Sequence, residues 1–481
     1  MPVNSKHKEY QTACSAWTIL RHSLAGEEAI KAAGEKYLPR LGEQEDDEYE
    51  SYTRRAEYWP VAEHTRSGLV GTVYRKDPSI ALSPDLEYLR QNADGDGTPL
   101  ALLAKEVLGD VLGMGRAGLL TDAPAGVQIG APRPYIKTYA AEKILNWRIE
   151  IVRDVRVLTR VVLEECFSAP APDGDEFCDC ERRRYRVLDL VPVASPQGAA
   201  ARAYRVRLFV HAIDPTDGSE IEDVIVQDGD EVYPKRGLVT FPYIPFTFVG
   251  PASLDACVQK SPLLDLVRVN LHHYLLSAEL NSGLFLASMP QACVIGGGGG
   301  SGNATRYRFG LGTVWEIPMG GEARYLEYTG TGLEKIRQEM QDDEERMRQL
   351  GGRLLEAQKK AAETAEALRL RQAGEDATLA TTTNSVSFGI QQNLAWAAEW
   401  VAADPKKNTF DLNRDFTDFE LPMADVLLLG QAADAGYLTD EDLYHNLRNG
   451  ERLSPATTRA QWMHNRRNAT PAPLPALEQA A

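Results

Sequence analysis

Through the first hundred residues the apolar positions recur at helical spacing, in segments rich in Ala, Glu, Leu and Arg, with the acidic run Glu43 to Glu50 as a solvated loop between helices. Thr98 and Pro99 predict an N-cap and first turn, opening a helix through Val111 that stops at Gly113. From Arg156 the period shortens to two. Alternating or β-branched runs at Arg156 to Phe167, Tyr185 to Val193, Tyr204 to Ile213, Val224 to Gln227 and Leu238 to Phe248 predict an antiparallel meander, with turn chemistry at Pro215 to Gly218.

Ser261 and Pro262 cap a long helix on which Leu263, Leu266, Val267, Leu271, Tyr274, Leu275 and Leu284 return to one side, and Pro290 ends it. Short strands follow at Cys293 to Ile295, Val314 to Ile317 and Ala323 to Tyr328. A second long helix starts near Gly332. Its apolar residues Leu333, Ile336, Met340, Met347, Leu350 and Leu354 step by three and four with one position skipped, a narrow stripe suited to packing against neighbouring helices. Beyond Gly351 and Gly352 comes a polar, Ala-rich stretch, either loop or bent helix. Then follow a helix with Phe388, Ile390, Leu394, Trp396 and Trp400, a helical hairpin turning at Gly436 to Thr439, and a loose Pro- and Ala-rich tail from Thr470.

With 481 residues the chain has room for about three domains, and 43% hydrophobic with 25% charged residues is the balance of a packed protein. The net charge of −17 argues against simple adhesion to nucleic acid or to an anionic membrane. Met1 to Trp17 lacks a signal-peptide core, and Pro262 to Met289 carries Asp265, Arg268, His272, His273 and Glu279, too many polar groups for a membrane span. A soluble product assembled in the cytoplasm is expected. Six cysteines are too sparse for a disulfide scaffold, and Cys166, Cys178 and Cys180 read as loop thiols because no second pair stands at zinc-site spacing.

The chemical motifs are weak. Asn92, Asp94, Asp96 and Gly97 open like a calcium loop, yet the twelfth position, where a bidentate acid belongs, is Leu103, so a turn is the better reading. Gly113, Gly115 and Gly118 have dinucleotide-loop spacing but follow a helix and precede a strand, which assigns them to close packing. Gly296 to Gly302 lacks the Gly-Lys-Ser/Thr of a phosphate loop. His272 and His273 point to different sides of their helix. The hairpin Met423 to Asn449 would offer Asp440, Glu441 and Asp442 to DNA phosphates, so Thr439 with Asp442 is read as a capping box. No catalytic constellation, cofactor site or metal site is expected.

The blocks Tyr37-Leu38-Pro39, Gly68-Leu69-Val70-Gly71 with Tyr74-Arg75-Lys76, Asp94-Gly95-Asp96-Gly97, Gly115-Arg116-Ala117-Gly118 and Asn146-Trp147-Arg148 occur in order, and Pro242-Tyr243-Ile244-Pro245-Phe246 precedes the long helix. In these the chain resembles the portal proteins of tailed double-stranded DNA bacteriophages. The resemblance implies an α+β portal-type subunit: a helical and β wing over 1–260, a first stem helix over 261–288, a small β clip over 289–331 and a second stem helix over 332–350. A tunnel-loop region over 351–383, an inner wing helix over 384–420 and a crown-like helical hairpin with tail over 421–481 complete it.

It further implies a virion protein at one capsid vertex, a homo-oligomeric ring of twelve subunits. Double-stranded DNA passes its bore during packaging and ejection, with a terminase motor, a head–tail adaptor, and the major capsid and scaffolding proteins as partners and no membrane. By that analogy Lys359, Lys360, Arg369 and Arg371 are the few cations of a mostly acidic channel, the alternative being a solvated helix face. Arg306, Arg308 and Trp315 are candidates for partner docking in the clip, Trp315 equally for its small core. Leu333, Ile336, Met340, Met347 and Leu350 would pack the stem. The competing expectations are another connector or adaptor ring and a soluble enzyme.

Overall fold

The computed structural model describes residues 2–123, 133–152, 154–170, 177, 179–193, 201–214, 220–236, 239–288, 291–295, 322–326, 331–351, 365–414, 416, 423–449, 452–453, 457 and 459–468. Two units are present, Met1–Arg414 and Asp415–Ala481. The mixture of helix and sheet is α+β, as expected.

The first unit opens with helices α1 (Lys8–Ala25), α2 (Glu27–Ala32), α3 (Asp46–Arg55) and α4 (Val61–Val73). The acidic run expected as a loop instead starts α3. Glu45 and Glu48 cap one another's backbone amides, and Asp46, Asp47 and Glu48 sit where the helix dipole favours negative charge. Strand β1 (Ser79–Ala81) leads towards α5 (Leu100–Met114), whose N-cap is Pro99 and whose left-handed C-cap is Gly115, two residues beyond the predicted stop. In the loop between them, Asn92 Oδ1 accepts from the amides of Gly95 and Gly97 at 2.8 and 3.0 Å, and Asp94 Oδ1 from those of Asp96 and Thr98 at 2.9 and 3.0 Å. These oxygens hold a turn, as the sequence indicated.

Strands β2 (Ala117–Asp122), β3 (Tyr135–Ala140), β4 (Ile144–Val152), β5 (Val155–Pro170), β6 (Asp179–Val193), β7 (Ala201–Ile213) and β8 (Glu220–Val232) follow. Strands β4 to β8 form a five-stranded antiparallel meander in sequence order. The run Leu238 to Phe248 is not one strand: Pro242 and Pro245 break it into β10 (Val239–Thr240), paired with β9 (Lys235–Arg236), and β11 (Phe246–Val249). Strand β11 crosses to a second sheet of order β11-β2-β3.

Then come α6 (Leu264–Ala287), the antiparallel pair β12 (Gln291–Ile295) and β13 (Glu322–Leu326), α7 (Thr331–Gln349) and α8 (Ala365–Trp400). Strand β14 (Thr409–Asp411) returns to pair with β1. The polar stretch that was left open between loop and bent helix is helical from Ala365, continuous with the helix of Trp396 and Trp400. One buried cluster joins Trp17 and Leu20 of α1, Trp147 and Leu163 of the meander, Phe246 and Phe248 of β11, Leu266 and Val267 of α6, Met347 and Trp400.

The second unit contains α9 (Met423–Asp434), α10 (Asp440–Asn449) and α11 (Arg459–Asn468). Thr439 and Asp442 form the predicted capping box, with the Asp442 amide donating to Thr439 Oγ1 at 3.1 Å. Arg459 pairs with Glu441 at 2.8 Å and Arg466 with Asp440 at 3.0 Å, so acids of the α10 terminus are answered by α11. Among the described residues no helix is long and apolar enough to cross a membrane.

Candidate functional site

Helix α6 begins at a bed built from glycines and one arginine. Gly115 takes φ +76°, and a Cβ there would stand 2.8 Å from both Gln259 O and Ser261 N. Only a residue without a side chain lets the strand into α6 lie this close. Ser261 Oγ donates to Gly113 O at 2.8 Å and accepts from the Leu263 amide at 3.1 Å, tying the start of α6 to the end of α5. A Cβ at Gly118 would fall 2.5 Å from the Phe246 ring. The packing role inferred for these glycines holds.

Between them Arg116 is 2% exposed, and its three guanidinium nitrogens have no hydrogen-bond partner among the described residues. Its charge lies 4.0 Å from the Trp147 ring centre and 4.5 Å from that of Phe248, while His7 stacks on Trp147 at 4.0 Å. Burial pushes its pKa down to about 9, with Glu9 and Cys257 partly opposing. Two of the sequence blocks that carried the resemblance, Gly115 to Gly118 and Asn146 to Arg148, therefore meet here.

Further along, α6 is clamped by a polar row. Asn270 Nδ2 donates to Trp59 O at 2.8 Å, Ser277 Oγ donates to Glu57 O and accepts from the Glu57 amide at 3.0 Å each, and Asn281 Nδ2 donates to Arg55 O at 2.9 Å. Their spacing of seven and four places them on one helix face, and the partner is the extended stretch between α3 and α4. The apolar reading of α6 missed this row because Asn and Ser on a long helix ordinarily read as surface.

Helix α7 packs antiparallel to α6. Leu333 presses on Gly283 so closely that a Cβ there would lie 2.4 Å from Leu333 Cδ2. Along the expected stripe Leu333 and Met347 are buried, and Ile336 and Met340 are half-buried. Leu350 is a correction: it is 43% exposed, because it lies beyond the end of α7 at Gln349. Leu354 lies outside the described residues.

The skipped position in that stripe is Asp343. It is 1% exposed, accepts from His272 Nδ1 at 2.5 Å and from Arg346 at 2.8 Å. Beside it His273, also 1% exposed, lies 4.8 Å from the Trp59 ring and has Glu344 Oε1 3.9 Å from its Nε2, with neither ring nitrogen hydrogen-bonded to a described residue. Burial lowers the His273 pKa, Asp343 partly countering and His272 adding to the fall, so the ring is neutral near pH 7. The two histidines do point apart, one to an acid and one into packing.

Of the other candidate residues, Arg306, Arg308, Trp315, Lys359 and Lys360 lie outside the described residues. Arg369 and Arg371 fall on the first half of α8, and their side chains lie outside the description. Among the described residues no group of three or more His, Cys, Asp or Glu could hold a metal ion.

The family described as Domain of unknown function (DUF4055) matches residues 262–401, which run from the start of α6 to the end of α8 and make up under a third of the chain. No curated protein matches the chain. Among solved structures it is similar to a chain from "Neck of native GTA particle computed with C12 symmetry", at 13% identity and a TM-score of 0.41, over 81% of this chain and 89% of that one. It is also similar to one from "Neck of empty GTA particle computed with C6 symmetry", at 14% identity and a TM-score of 0.39, over 81% and 90%. Scores at this level are too low to equate the folds.

Proposed function

We propose that the chain is the subunit of a homo-oligomeric ring in the head–tail connector of a phage-like particle, and within that class a portal protein. Such a ring passes double-stranded DNA and offers a docking platform to a packaging motor and a tail adaptor. The observation that carries the reading is the hairpin of α6 and α7, with the β12–β13 pair at one end and the bed at Gly115 to Gly118 at the other, followed by the 36-residue α8. The order of elements agrees with stem helix, clip, stem helix and channel-lining helix. The sequence blocks that suggested this family supply the bed on which the stem is set.

In this reading the chain does no chemistry of its own, and the energy for translocation comes from a separate ATPase. Its acidic balance suits passage, because a wall that neutralises many phosphates would release counterions and grip the duplex. Lys359, Lys360, Arg369 and Arg371 act as sparse guides for DNA, and Arg306, Arg308 and Trp315 as contacts for the motor or adaptor. Particle imaging of the purified chain tests the class: rings of about twelve copies around an open bore are expected. A monodisperse monomer or dimer at concentrations where such rings are stable would overturn it. Neutralising the four basic residues should impair DNA packaging while rings persist, and unchanged packaging would remove that assignment.

A further inference from the structure

The five-stranded meander ends in an edge that the other described residues leave open. At its other side, the start of β4 is partly covered by the N-terminal segment: the His7 amide donates to Leu145 O at 2.9 Å, and Asn146 Nδ2 donates to Ser5 O at 2.9 Å. Strand β8 pairs with β7 alone among the described residues. Its register with β7 is interrupted between Ile221 and Ile225 and between Asp228 and Val232, where Gly229 takes φ +72°, so the regular part of the edge is Ile225 to Asp228, whose outward amides and carbonyls are available to another strand. The strand also exposes Val224, Val226 and Val232, each 44 to 50% accessible. An open strand edge with exposed valines beside it ordinarily invites pairing.

The charges decide which partner it accepts. Strand β8 carries Glu220, Glu222, Asp223, Asp228, Asp230 and Glu231 and no basic residue. The inner strands hold the arginines, and their charges are used there: Asp189 takes Arg160, Arg205 and Arg207, and Glu165 takes Arg184 and Arg186. On the edge, Glu231 reaches Arg205 at 2.8 Å and Glu220 stands 3.9 Å from Arg183, while Asp228 and Asp230 are exposed and have no ion-pair partner among the described residues. A second copy of β8 would lay acid against acid across the new ladder, which disfavours self-pairing. A strand bearing lysine or arginine would find complementary charge at both ends of β8, at Glu220 to Asp223 and at Asp228 to Glu231.

We propose that β8 is a docking edge for an extended basic segment of a partner protein, which adds to the meander as a sixth antiparallel or parallel strand. Backbone hydrogen bonds would supply the affinity, the exposed valines a seam for alternate apolar side chains, and the carboxylates the selection against other strands. The proposal does not rest on the ring reading, since it is argued from the edge strand of one sheet in a single chain.

A fluorescein-labelled twelve-residue peptide of alternating lysine and valine is the probe, with a glutamate–valine peptide of the same length as the control. Anisotropy should report binding of the basic peptide alone, weakening at least tenfold between 50 and 200 mM salt, and at least tenfold in the double variant Asp228→Lys, Asp230→Lys. Because a chain of net charge −17 attracts any cation, hydrogen exchange decides the location: the peptide should slow exchange of amides within 220–232. Binding without that protection, or binding unchanged in the double variant, would overturn the proposal. So would imaging of assembled rings in which a neighbouring subunit covers β8. The rings themselves should form equally with and without the peptide, so failure here leaves the ring reading untouched.

Discussion

Replacing Gly115 with alanine separates two costs that the structure superimposes. The first is conformational: φ at +76° lies in the left-handed region, where a Cβ costs about 1–2 kcal/mol. The second is spatial. The new carbon would stand 2.8 Å from Gln259 O and Ser261 N and 3.0 Å from Lys260 C, all backbone atoms that no rotamer change can remove. The segment must shift by several tenths of an ångström, although Ser261 is fixed by its bonds to Leu112 O and Gly113 O. Overpacking of this kind costs about 1–3 kcal/mol, giving about 2–5 kcal/mol in all. Gly97→Ala is the control, because Gly97 has φ +100° but nothing within 4 Å of a Cβ, so it carries the conformational cost alone. Hydrogen exchange over residues 258–267 is the assay of choice, since a chain with two units does not promise a single unfolding transition. Gly115→Ala should lower local protection by about 1–3 kcal/mol more than Gly97→Ala lowers protection around its own loop. If the two losses agree within about 0.5 kcal/mol, the close approach at α6 contributes nothing and the reasoning fails.

Three further outcomes can be measured by hydrogen exchange of the first unit's amides in the same chain. Asp343→Ala should destabilise by about 1–3 kcal/mol through loss of its bonds to His272 and Arg346, whereas Asp343→Leu, which completes the apolar stripe, should be neutral or stabilising. Glu165 is 3% exposed at its side chain; burial opposes its ionisation, but Arg186, Tyr139, Lys137 and Arg184 outweigh it and bring its pKa down to about 2. Since the folded value lies below the unfolded one, its contribution of about 3 kcal/mol is complete above about pH 4.5 and is lost as pH falls towards 2, and Glu165→Gln should flatten that limb of the stability profile. For Arg116, two cation–π contacts worth about 2 kcal/mol or more each at best stand against a desolvation penalty of several kcal/mol, so Arg116→Met should be neutral or stabilising. Arg116→Ala, which also empties the slot between Trp147 and Phe248, should cost about 2–5 kcal/mol, and equal losses in both variants would refute the assignment.

The long helices were legible because their apolar residues repeat at helical spacing over many turns, and the capping box at Thr439 because its two residues are local. The glycines at 113, 115 and 118 could be assigned to packing from order alone, since a helix precedes them and a strand follows. Strand β4 was missed although Leu145, Trp147, Ile149 and Ile151 alternate with Asn146, Arg148 and Glu150, a signal that the three-residue block within it obscured. Strand β11 was placed in the wrong sheet because pairing between Phe246 and Leu120 is non-local, and only Pro242 and Pro245 hint at the break. Arg116 and Asp343 carried no local signal at all. Arginine and aspartate are surface residues by default, and what buries them is an aromatic pair from two distant strands and a histidine from another helix.

The polar contacts of α6 also explain how a helix pair with so much charge on α7 keeps one register. An apolar seam alone tolerates sliding, since a leucine displaced by one turn meets another leucine. Here Asn270, Ser277 and Asn281 bond the backbone of 55–59, and Asp343 bonds His272, each at 3.0 Å or less. A slip of one turn, about 5.4 Å, breaks the whole set on the moving face at once and leaves buried donors and acceptors unpaired, at about 1–3 kcal/mol for each group. Rotation of α6 about its axis is opposed in the same way, because the row on one side and His272 on another are fixed together. Helix α6, helix α7 and the 55–59 stretch therefore move as one body, and any rearrangement of the chain must hinge outside them. The bed at Gly115, where the chain enters α6 without side-chain bulk between the two backbones, is the place at which such a hinge would be felt first.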